Sequence, residues 1–229
     1  MSRCLQAIVF DFDGVIANSE PLHLLAFQQA LAEDGVELSA SDYYSRYLGY
    51  DDVGMFEALA RDRGMSMQDG RVAELVARKG DRMQDLLRSG SVLFPGALEF
   101  IREAAAEVPI AIASGALRHE IDDIIDAAGV GNLFATIVAA GDTPESKPSP
   151  APYRLAFEQL RERTGRTLDP RRSVAIEDSR WGLESARGAG LRLVAVTSSY
   201  PAEELTSAEL VVNGLGALTL PALDKLCAS

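Results

Sequence analysis

The sequence is poor in cysteine, in long apolar runs and in net positive charge, and each shortage excludes a class of protein. The two cysteines, Cys4 and Cys227, lie near the ends of the chain and form neither a disulfide framework nor a zinc-binding pattern. We therefore expect a reducing compartment, with the cytoplasm as the default. No stretch approaches the roughly 18 consecutive apolar residues of a membrane span, and the apolar run before residue 11 is too short for a secretory signal.

The charge balance is strongly acidic. The 229 residues include 22 Lys and Arg against 34 Asp and Glu, a net charge of −12. Such a chain has no basic surface to attract nucleic acid or an anionic membrane, so we expect neither partner. An anionic small molecule could bind only where local cations or a metal ion reverse the field. Apolar residues make up 47% of the chain, enough for a sizeable core, and we expect a monomer.

The hydrophobic pattern changes twice along the chain. A short apolar strand at 7–10 is followed by an all-helical stretch that ends at the turn signal Leu93-Phe94-Pro95-Gly96. Beyond it, apolar strands alternate with amphipathic helices, which is typical of a parallel sheet covered on both faces. We therefore predict an α/β protein, with a parallel-sheet core at 1–17 and 94–229 and an inserted all-helical domain at 18–93. Strands are predicted at 7–10, 110–113, 137–140, 173–176, 193–196 and 210–212.

Chemically useful side chains follow four of the predicted strands. In open α/β sheets, ligands bind outside the carboxyl ends of the strands, so these groups should lie near one another. In chain order they are Asp11 and Asp13, then Ser114 and Gly115, then Lys147, and finally Glu177 and Asp178.

This set of groups suits a phosphate ester. Hard oxygen ligands from Asp11 and Asp178, with Glu177 beside them, suit Mg²⁺. Ser114 and the N–H groups next to it can donate to phosphoryl oxygens, and Lys147 can neutralise negative charge. We expect Asp11 to attack phosphorus and form an acyl-phosphate.

The second acid of the first pair has a separate task. Asp13 would protonate the leaving oxygen and then deprotonate the attacking water. The useful pKa of Asp13 should lie above that of Asp11, which the metal ion and Lys147 keep ionised.

Each feature taken alone has another interpretation. The Asp11–Asp13 pair could cap a strand end, or bind Mn²⁺ as in sugar-nucleotide transferases, although we find no nucleotide site. Ser114-Gly115 could be an ordinary turn, and Lys147 a solvated loop lysine. Glu177-Asp178-Ser179 could simply cap the next helix. Their joint occurrence at four strand ends favours a catalytic site.

The chain resembles the haloacid dehalogenase-like hydrolases, in the subgroup that contains β-phosphoglucomutase and small sugar phosphatases. The matching motifs are DFDGV at 11–15, SG at 114–115, KP at 147–148 and ED at 177–178, in the family's order. The resemblance implies a doubly wound parallel-sheet core, with Mg²⁺ held by Asp11, the backbone carbonyl of Asp13, and Asp178. It also implies that the inserted domain is a cap that closes over the core, and that Asp13 separates phosphoryl transfer from dehalogenation.

Several residues of the inserted domain are candidate substrate contacts. Lys79 falls on an apolar helical stripe, where a lysine is rarely buried without a partner. The resemblance implies that this partner is a phosphate of the substrate. Alternatively, the Lys79 side chain could extend to solvent. His23 matches a histidine that contacts substrate in the subgroup, and its other interpretation is an exposed or helix-capping residue. The remaining predicted substrate-binding residues are Ser19, Gly49, Asp52, Gly115 and Ala116.

Two departures from the mutase pattern bear on the reaction. Asp52 stands where β-phosphoglucomutases carry an arginine for a second phosphate, and a carboxylate there would repel a bisphosphate. The residues after Gly115, Ala116 to Arg118, also differ from the mutase pattern. We therefore predict an Mg²⁺-dependent phosphatase acting on a sugar or polyol monophosphate. The alternatives are a β-phosphoglucomutase and, more remotely, a non-catalytic binding module with the same fold.

Overall fold

The computed structural model of the chain describes residues 4–47, 50, 52–65, 70–89 and 92–228. Contacts divide the chain into two compact units, one made of residues 1–18 and 92–229 and the other of residues 19–91. The strands are β1 (Ala7–Phe10), β2 (Ile110–Ala113), β3 (Phe134–Val138), β4 (Ser173–Glu177), β5 (Arg192–Val196) and β6 (Leu210–Val212). The helices are α1 (Glu20–Ala32), α2 (Ala40–Asp42), α3 (Asp52–Arg63), α4 (Arg71–Ser89), α5 (Ala97–Glu107), α6 (Arg118–Ala127), α7 (Ala151–Thr164), α8 (Arg180–Gly188) and α9 (Leu220–Ala228).

The larger unit is built on a parallel sheet, as the sequence predicts. The six strands of the described chain lie in the order β3-β2-β1-β4-β5-β6, and every neighbouring pair is parallel. All residues of β1, β2 and β4 are buried, because continuous apolar runs suit strands covered on both faces. The α/β fold class is confirmed.

The strand order reverses on either side of β1, which lies between β2 and β4. In doubly wound sheets this reversal opens a crevice at the carboxyl ends of the strands. Phe10, the last residue of β1, pairs with Ile112 on one side and with Ile176 on the other. The three strands therefore end at nearly the same level, and the residues that follow them meet at one edge of the sheet.

The predicted bounds of the third strand are wrong. The sequence predicts a strand at 137–140, whereas β3 runs from Phe134 to Val138. Beyond Val138 the backbone leaves the sheet, because the N–H of Ala139 donates to the Asp142 carboxylate at 2.9 Å and the N–H of Ala140 donates to the Ala116 carbonyl at 2.9 Å. The start of the strand was missed because it contains a polar residue, Thr136, which is buried and bonded to Gln159.

The regular secondary structure of the smaller unit, in its described residues, consists of helices joined by turns. Its core centres on Phe27 of α1, whose ring lies 5.2 Å from that of Phe56 in α3 and 5.8 Å from that of Tyr43. Helix α2 and the π-helical turn Tyr43–Tyr47 that follows it are not predicted by the hydrophobic pattern. The Ser39 hydroxyl begins this segment by accepting the N–H of Asp42 at 3.0 Å.

Within the described part of the chain, no helix combines the length and the apolarity that crossing a membrane would require.

Candidate active site

Asp11 occupies the first position after β1 and is held there by the sheet. Its N–H donates to the carbonyl of Ile176 in β4 at 2.9 Å, so the backbone continues the pairing of β1 with β4 by one residue. The carboxylate is buried, with 8% of the residue exposed, and its Oδ1 accepts from the Lys147 ammonium at 2.7 Å. A buried carboxylate of this kind requires a compensating charge, and Lys147 supplies one.

Lys147 bridges two acids. Its Nζ donates to Asp11 at 2.7 Å and to Glu177 Oε1 at 2.6 Å, and it lies 5.0 Å from the centre of the Tyr153 ring. The peptide between Lys147 and Pro148 is cis. Burial by itself lowers the pKa of Lys147, but the carboxylates of Asp11 and Glu177 outweigh it and raise that pKa above its ordinary value. The ammonium therefore stays charged.

Glu177, the last residue of β4, is fully buried and already accepts several hydrogen bonds. Its Oε1 accepts from Lys147 and from the Tyr153 hydroxyl at 2.9 Å. Its Oε2 accepts from the N–H groups of Asp178 and Ser179, at 3.1 and 3.3 Å, and from the Ser179 hydroxyl at 3.0 Å. With both oxygens engaged, Glu177 anchors Lys147, and direct binding to a metal ion would compete with these donors.

Three carboxylates in this unit are close enough to share one cation. Oxygens of Asp11, Glu177 and Asp178 all lie within 4.8 Å of one another, and the three residues are buried. Burial, followed by the charge of Glu177, raises the pKa of Asp11 well above its usual range, although Lys147 opposes the shift. Burial also raises the pKa of Asp178 to about 6, against the lowering effect of a hydrogen bond from Ser199. A hard divalent cation would remove this cost, and an all-oxygen donor set suits one.

Asp13 and Gly14 form the turn that follows the nucleophile candidate. Asp13 is exposed whereas Asp11 is buried, so the two acids stand in different environments. Gly14 has φ of +77°, and a β carbon there would lie 1.9 Å from Oδ2 of Asp178. Only glycine fits at this position, because both the backbone conformation and the packing exclude a side chain.

Ser114 and its neighbours form a second turn at the end of β2. The Ser114 N–H donates to the carbonyl of Val138 at 2.9 Å, and its hydroxyl accepts the N–H of Ala116 at 3.0 Å. Ser114 is buried and Gly115 is exposed, and α6 begins shortly after them. Because β2 lies beside β1, this turn belongs to the sheet edge that also carries Asp11.

The helix-capping interpretation of Glu177-Asp178-Ser179 is also correct, and it does not exclude the acidic cluster. The Ser179 hydroxyl accepts the N–H of Gly182 at 3.1 Å and so caps α8. A β carbon on Gly182 would lie 1.8 Å from the Glu177 carboxylate. The capping turn and the acidic cluster are therefore packed directly against each other.

In the helical unit, Lys79 has the partner that its burial requires. Only 2% of the residue is exposed, and its Nζ donates to the two oxygens of Asp52 at 2.8 and 3.0 Å. The Nδ1 of His23 lies 3.1 Å away and the Phe27 ring centre 5.0 Å away. His23, Asp52 and Lys79, three of the predicted substrate contacts, thus form one cluster within this unit, in which Lys79 is buried and the other two are partly exposed.

The other predicted contacts of this unit behave differently. Ser19 is buried at the N-cap position of α1, and its side chain makes no capping hydrogen bond to that helix. Gly49 lies outside the described residues.

Sequence reasoning missed Tyr153, Gly182 and Ser199, which contact or pack against the acidic cluster. Ser199 donates a hydrogen bond to Oδ2 of Asp178. It follows β5, so applying the strand-end rule to a fifth strand would have found it. Tyr153 carries no comparable signal, because at the sequence level it is one apolar position among others in α7. Burial and the charge of Glu177 raise its pKa, so the phenol remains protonated and able to donate.

Comparison with known proteins relates this geometry to a family. Residues 8–196 match the model of the family described as haloacid dehalogenase-like hydrolase. The protein CbbY of Rhodobacter capsulatus is 34% identical over 233 residues, which cover 97% of this chain and 99% of the relative. A phosphoglycolate phosphatase of Pectobacterium atrosepticum is 27% identical over 213 residues, covering 91% of this chain and 88% of the relative.

A solved structure is similar over nearly the whole chain. It is a mutant of CbbY from Rhodobacter sphaeroides in complex with xylulose-(1,5)bisphosphate, with a TM-score of 0.74 and 28% identity, covering 93% of this chain and 96% of that one. The family match, the near-complete coverage and the acidic cluster agree with one another. The chain therefore belongs to the haloacid dehalogenase-like hydrolases and is a phosphatase of that family.

Proposed function

We propose that this phosphatase hydrolyses a sugar or polyol monophosphate with Mg²⁺, through an aspartyl-phosphate on Asp11. The observation that carries the proposal is the buried array in which Lys147 bonds Asp11 and Glu177, with an oxygen of Asp178 within 4.8 Å of both acids. A carboxylate placed between an ammonium and a second acid, at the crevice of a doubly wound sheet, is positioned to act on an anionic ester. The complex of a CbbY relative with xylulose-(1,5)bisphosphate supports a phosphorylated sugar as the substrate class, and the substrate proposed here differs from that ligand in carrying one phosphate.

The metal ligands in this proposal are the carboxylates of Asp11 and Asp178 and the backbone carbonyl of Asp13. Glu177 completes the acidic cluster and holds Lys147. When bound, Mg²⁺ would neutralise charge on the phosphoryl oxygens and keep Asp11 ionised.

The first half of the reaction forms a covalent intermediate. A carboxylate oxygen of Asp11 bonds to phosphorus, and the bond from phosphorus to the ester oxygen breaks. Asp13, in its acid form, gives its proton to the departing alkoxide, so the product leaves as a neutral alcohol. Lys147 offsets the negative charge around Asp11 during the transfer.

The second half releases phosphate. Asp13, now a carboxylate, takes a proton from a water molecule whose oxygen attacks phosphorus. The bond from phosphorus to the Asp11 oxygen breaks, which restores both carboxyl groups and yields inorganic phosphate. The exposed position of Asp13 suits a group that exchanges protons with leaving groups and water.

The turn at the end of β2 is proposed to hold the phosphoryl group. The Ser114 hydroxyl and the N–H group of Gly115 can donate to phosphoryl oxygens. The N–H of Ala116, which donates to the Ser114 hydroxyl at 3.0 Å, would turn to a phosphoryl oxygen when the substrate binds. The N-terminus of α6, at Arg118, begins two residues later and adds a favourable dipole.

Substrate selection is proposed to reside in the helical unit, through Ser19, His23, Gly49, Asp52 and Lys79. The Lys79 ammonium is neutralised by Asp52 at 2.8 Å, so this cluster offers no surplus positive charge for a second phosphate. That balance supports a monophosphate substrate and argues against the bisphosphate intermediate of a mutase. We expect the protein to release phosphate from sugar monophosphates and to form no glucose 6-phosphate from β-glucose 1-phosphate.

The nucleophile is tested by Asp11→Asn. Because the amide cannot attack phosphorus, we expect phosphate release from p-nitrophenyl phosphate with Mg²⁺ to fall to the buffer background. Asp81→Asn, at an exposed position of α4, serves as the matched control and should keep parental activity. Retention of turnover by Asp11→Asn would contradict the proposal.

The separate roles of Asp11 as nucleophile and Asp13 as general acid–base are tested by Asp13→Asn. Since only the backbone carbonyl of Asp13 is assigned to the metal, the variant should bind Mg²⁺ with parental affinity in a calorimetric titration. Turnover should drop by about 10²- to 10⁴-fold, the usual range for loss of a general acid–base. A variant that loses Mg²⁺ binding together with activity would show that the Asp13 carboxylate is itself a ligand.

A further inference from the structure

The loop after β5 reaches the acidic cluster at Asp178, whereas Lys147 bonds Asp11 and Glu177. Strand β5 pairs in parallel with β4, with Glu177 opposite Ala195, so both strands end at the same edge of the sheet. The N–H of Thr197 donates to the carbonyl of Val212 at 3.0 Å, which continues the pairing with β6 by one residue. The next two residues, Ser198 and Ser199, leave the sheet beside Asp178.

Two consecutive hydroxyls of this loop bond the two loops that carry the acids. The Ser199 hydroxyl donates to Oδ2 of Asp178, and the Ser198 hydroxyl donates to the backbone carbonyl of Gly14. We name Ser198 and Ser199 the serine clasp. Neither serine was assigned any role by the motif reasoning.

The serine clasp packs against Gly14 at the point where a side chain on that residue would lie. A β carbon on Gly14 would lie 1.9 Å from Oδ2 of Asp178 and 3.1 Å from the Ser199 hydroxyl. The turn after the nucleophile, the Asp178 carboxylate and the Ser199 hydroxyl therefore meet at one point. The close approach of Gly14 and the hydrogen bond from Ser199, both at Oδ2, restrict the rotation of this carboxylate.

We propose that Ser199 is a positioning residue that fixes the Asp178 carboxylate for metal binding, and that Ser198 fixes the turn at Gly14 next to it. The inference rests on the proposed function in that Asp178 is taken as a ligand of the divalent cation. Partners that orient a ligating carboxylate commonly contribute 10- to 100-fold to metal affinity or activity, roughly the range expected here. Both serines are exposed, so shortening either side chain removes a hydrogen bond without opening a cavity in the core.

The experiment measures Mn²⁺ binding to the full chain by the electron paramagnetic resonance signal of the free ion. Mn²⁺ replaces Mg²⁺ because both prefer oxygen ligands. Ser199→Ala should weaken Mn²⁺ binding by about tenfold or more. Ser199→Thr, which keeps the hydroxyl, should restore at least most of the lost affinity, and Thr206→Ala, at an exposed position farther along the same connection, should bind as the parent does.

A second readout separates positioning of the metal ligand from a general structural effect. If Ser199 acts through the metal site, phosphate release by Ser199→Ala should return to the parental kcat once Mg²⁺ is raised to saturation. Ser198→Ala should lower kcat at saturating Mg²⁺ and change Mn²⁺ affinity less than Ser199→Ala does, because its hydroxyl bonds a backbone carbonyl and not a ligand. Equal loss of Mn²⁺ affinity in both variants would contradict separate roles.

The outcomes distinguish this inference from the proposed function. A parent protein that binds Mn²⁺ and releases phosphate, beside a Ser199→Ala variant with the same Mn²⁺ affinity, overturns the role of Ser199 alone. Loss of kcat in Ser199→Ala that saturating Mg²⁺ does not restore also overturns it. A parent protein that neither binds Mn²⁺ nor releases phosphate from any monophosphate overturns the proposed function itself.

Discussion

Glu177 shows how tightly single residues are fitted around the acidic cluster. Its carboxylate is fully buried, accepts from Lys147 at 2.6 Å and from Tyr153 at 2.9 Å, and abuts the backbone of Gly182. A charge in such a place is stable only while all its donors stay in position. A small steric change beside it should therefore affect both stability and chemistry.

We expect Gly182→Ala to destabilise the protein and lower its phosphatase activity. The added carbon would lie 1.8 Å from the Glu177 carboxylate. Overpacking costs roughly 1–3 kcal/mol, whereas alanine gains roughly 1 kcal/mol over glycine in a helix. We expect the cost to exceed the gain, because the Glu177 carboxylate is held by hydrogen bonds and cannot move aside. Urea unfolding and p-nitrophenyl phosphate turnover measure the two effects.

Gly214→Ala is the control for this substitution, since a β carbon there meets nothing within 4 Å. It should match the parent in both assays. A Gly182→Ala protein that also matches the parent would show that the packing around Glu177 is looser than described.

At the scale of elements, the three longer helices of the smaller unit meet at one ion pair. Lys79 lies in α4, Asp52 begins α3 and His23 lies in the first turn of α1. The ammonium donates to both oxygens of Asp52 and also lies over the Phe27 ring. A buried ion pair adds little stability over an apolar replacement, but losing one partner is costly because the other charge stays buried.

Asp52→Ala should therefore destabilise the helical unit by about 3 kcal/mol. The double variant Asp52→Ala with Lys79→Met should recover most of that loss, because it removes the stranded charge and fills the space with an apolar chain. Chemical unfolding followed by circular dichroism measures the difference.

The matched control is Asp122→Ala, which breaks the exposed i,i+4 pair with Arg118. An exposed pair of this kind is worth about 0.3–0.5 kcal/mol, so the loss should be several-fold smaller. If the double variant is no more stable than Asp52→Ala alone, the burial of Lys79 is not the source of the cost.

At the scale of the whole molecule, the chain places three buried carboxylates together although its net charge is already −12. Self-repulsion of this kind disfavours the folded state, and a bound divalent cation would offset it. Because the ligands come from sequence-distant loops, the site is not formed in the unfolded chain. Metal binding should then favour folding by mass action.

We expect Mg²⁺ to raise the thermal unfolding midpoint and a chelator to reverse the increase. At a Mg²⁺ concentration about 100 times the Kd, the stabilisation would be about 2.7 kcal/mol. Asp178→Asn should lose the Mg²⁺-dependent shift, whereas Asp81→Asn should keep it. Differential scanning calorimetry with and without chelator measures the midpoints, and an equal shift in Asp178→Asn would contradict its assignment as a ligand.

The sequence by itself determined the fold class, the strand ends that carry chemistry and the buried strands β1 and β2. It did so because these signals are local: apolar runs bounded by turn residues, and motifs of two to five residues. The roles given to Asp11, Asp13, Ser114 and Lys147 remain predictions that the variants above test.

Only the tertiary structure decided which side chains bond one another. Lys147 meets Asp11 across 136 residues and Asp52 meets Lys79 across 27, distances at which periodicity carries no information. The edge strand β3 starts at Phe134, earlier than predicted, and includes the polar Thr136, whose buried hydroxyl bonds Gln159. The serine clasp contacts Asp178 because β5 lies beside β4 in the sheet. Partners of buried polar groups are set by strand order and helix packing, which exist only in the folded chain.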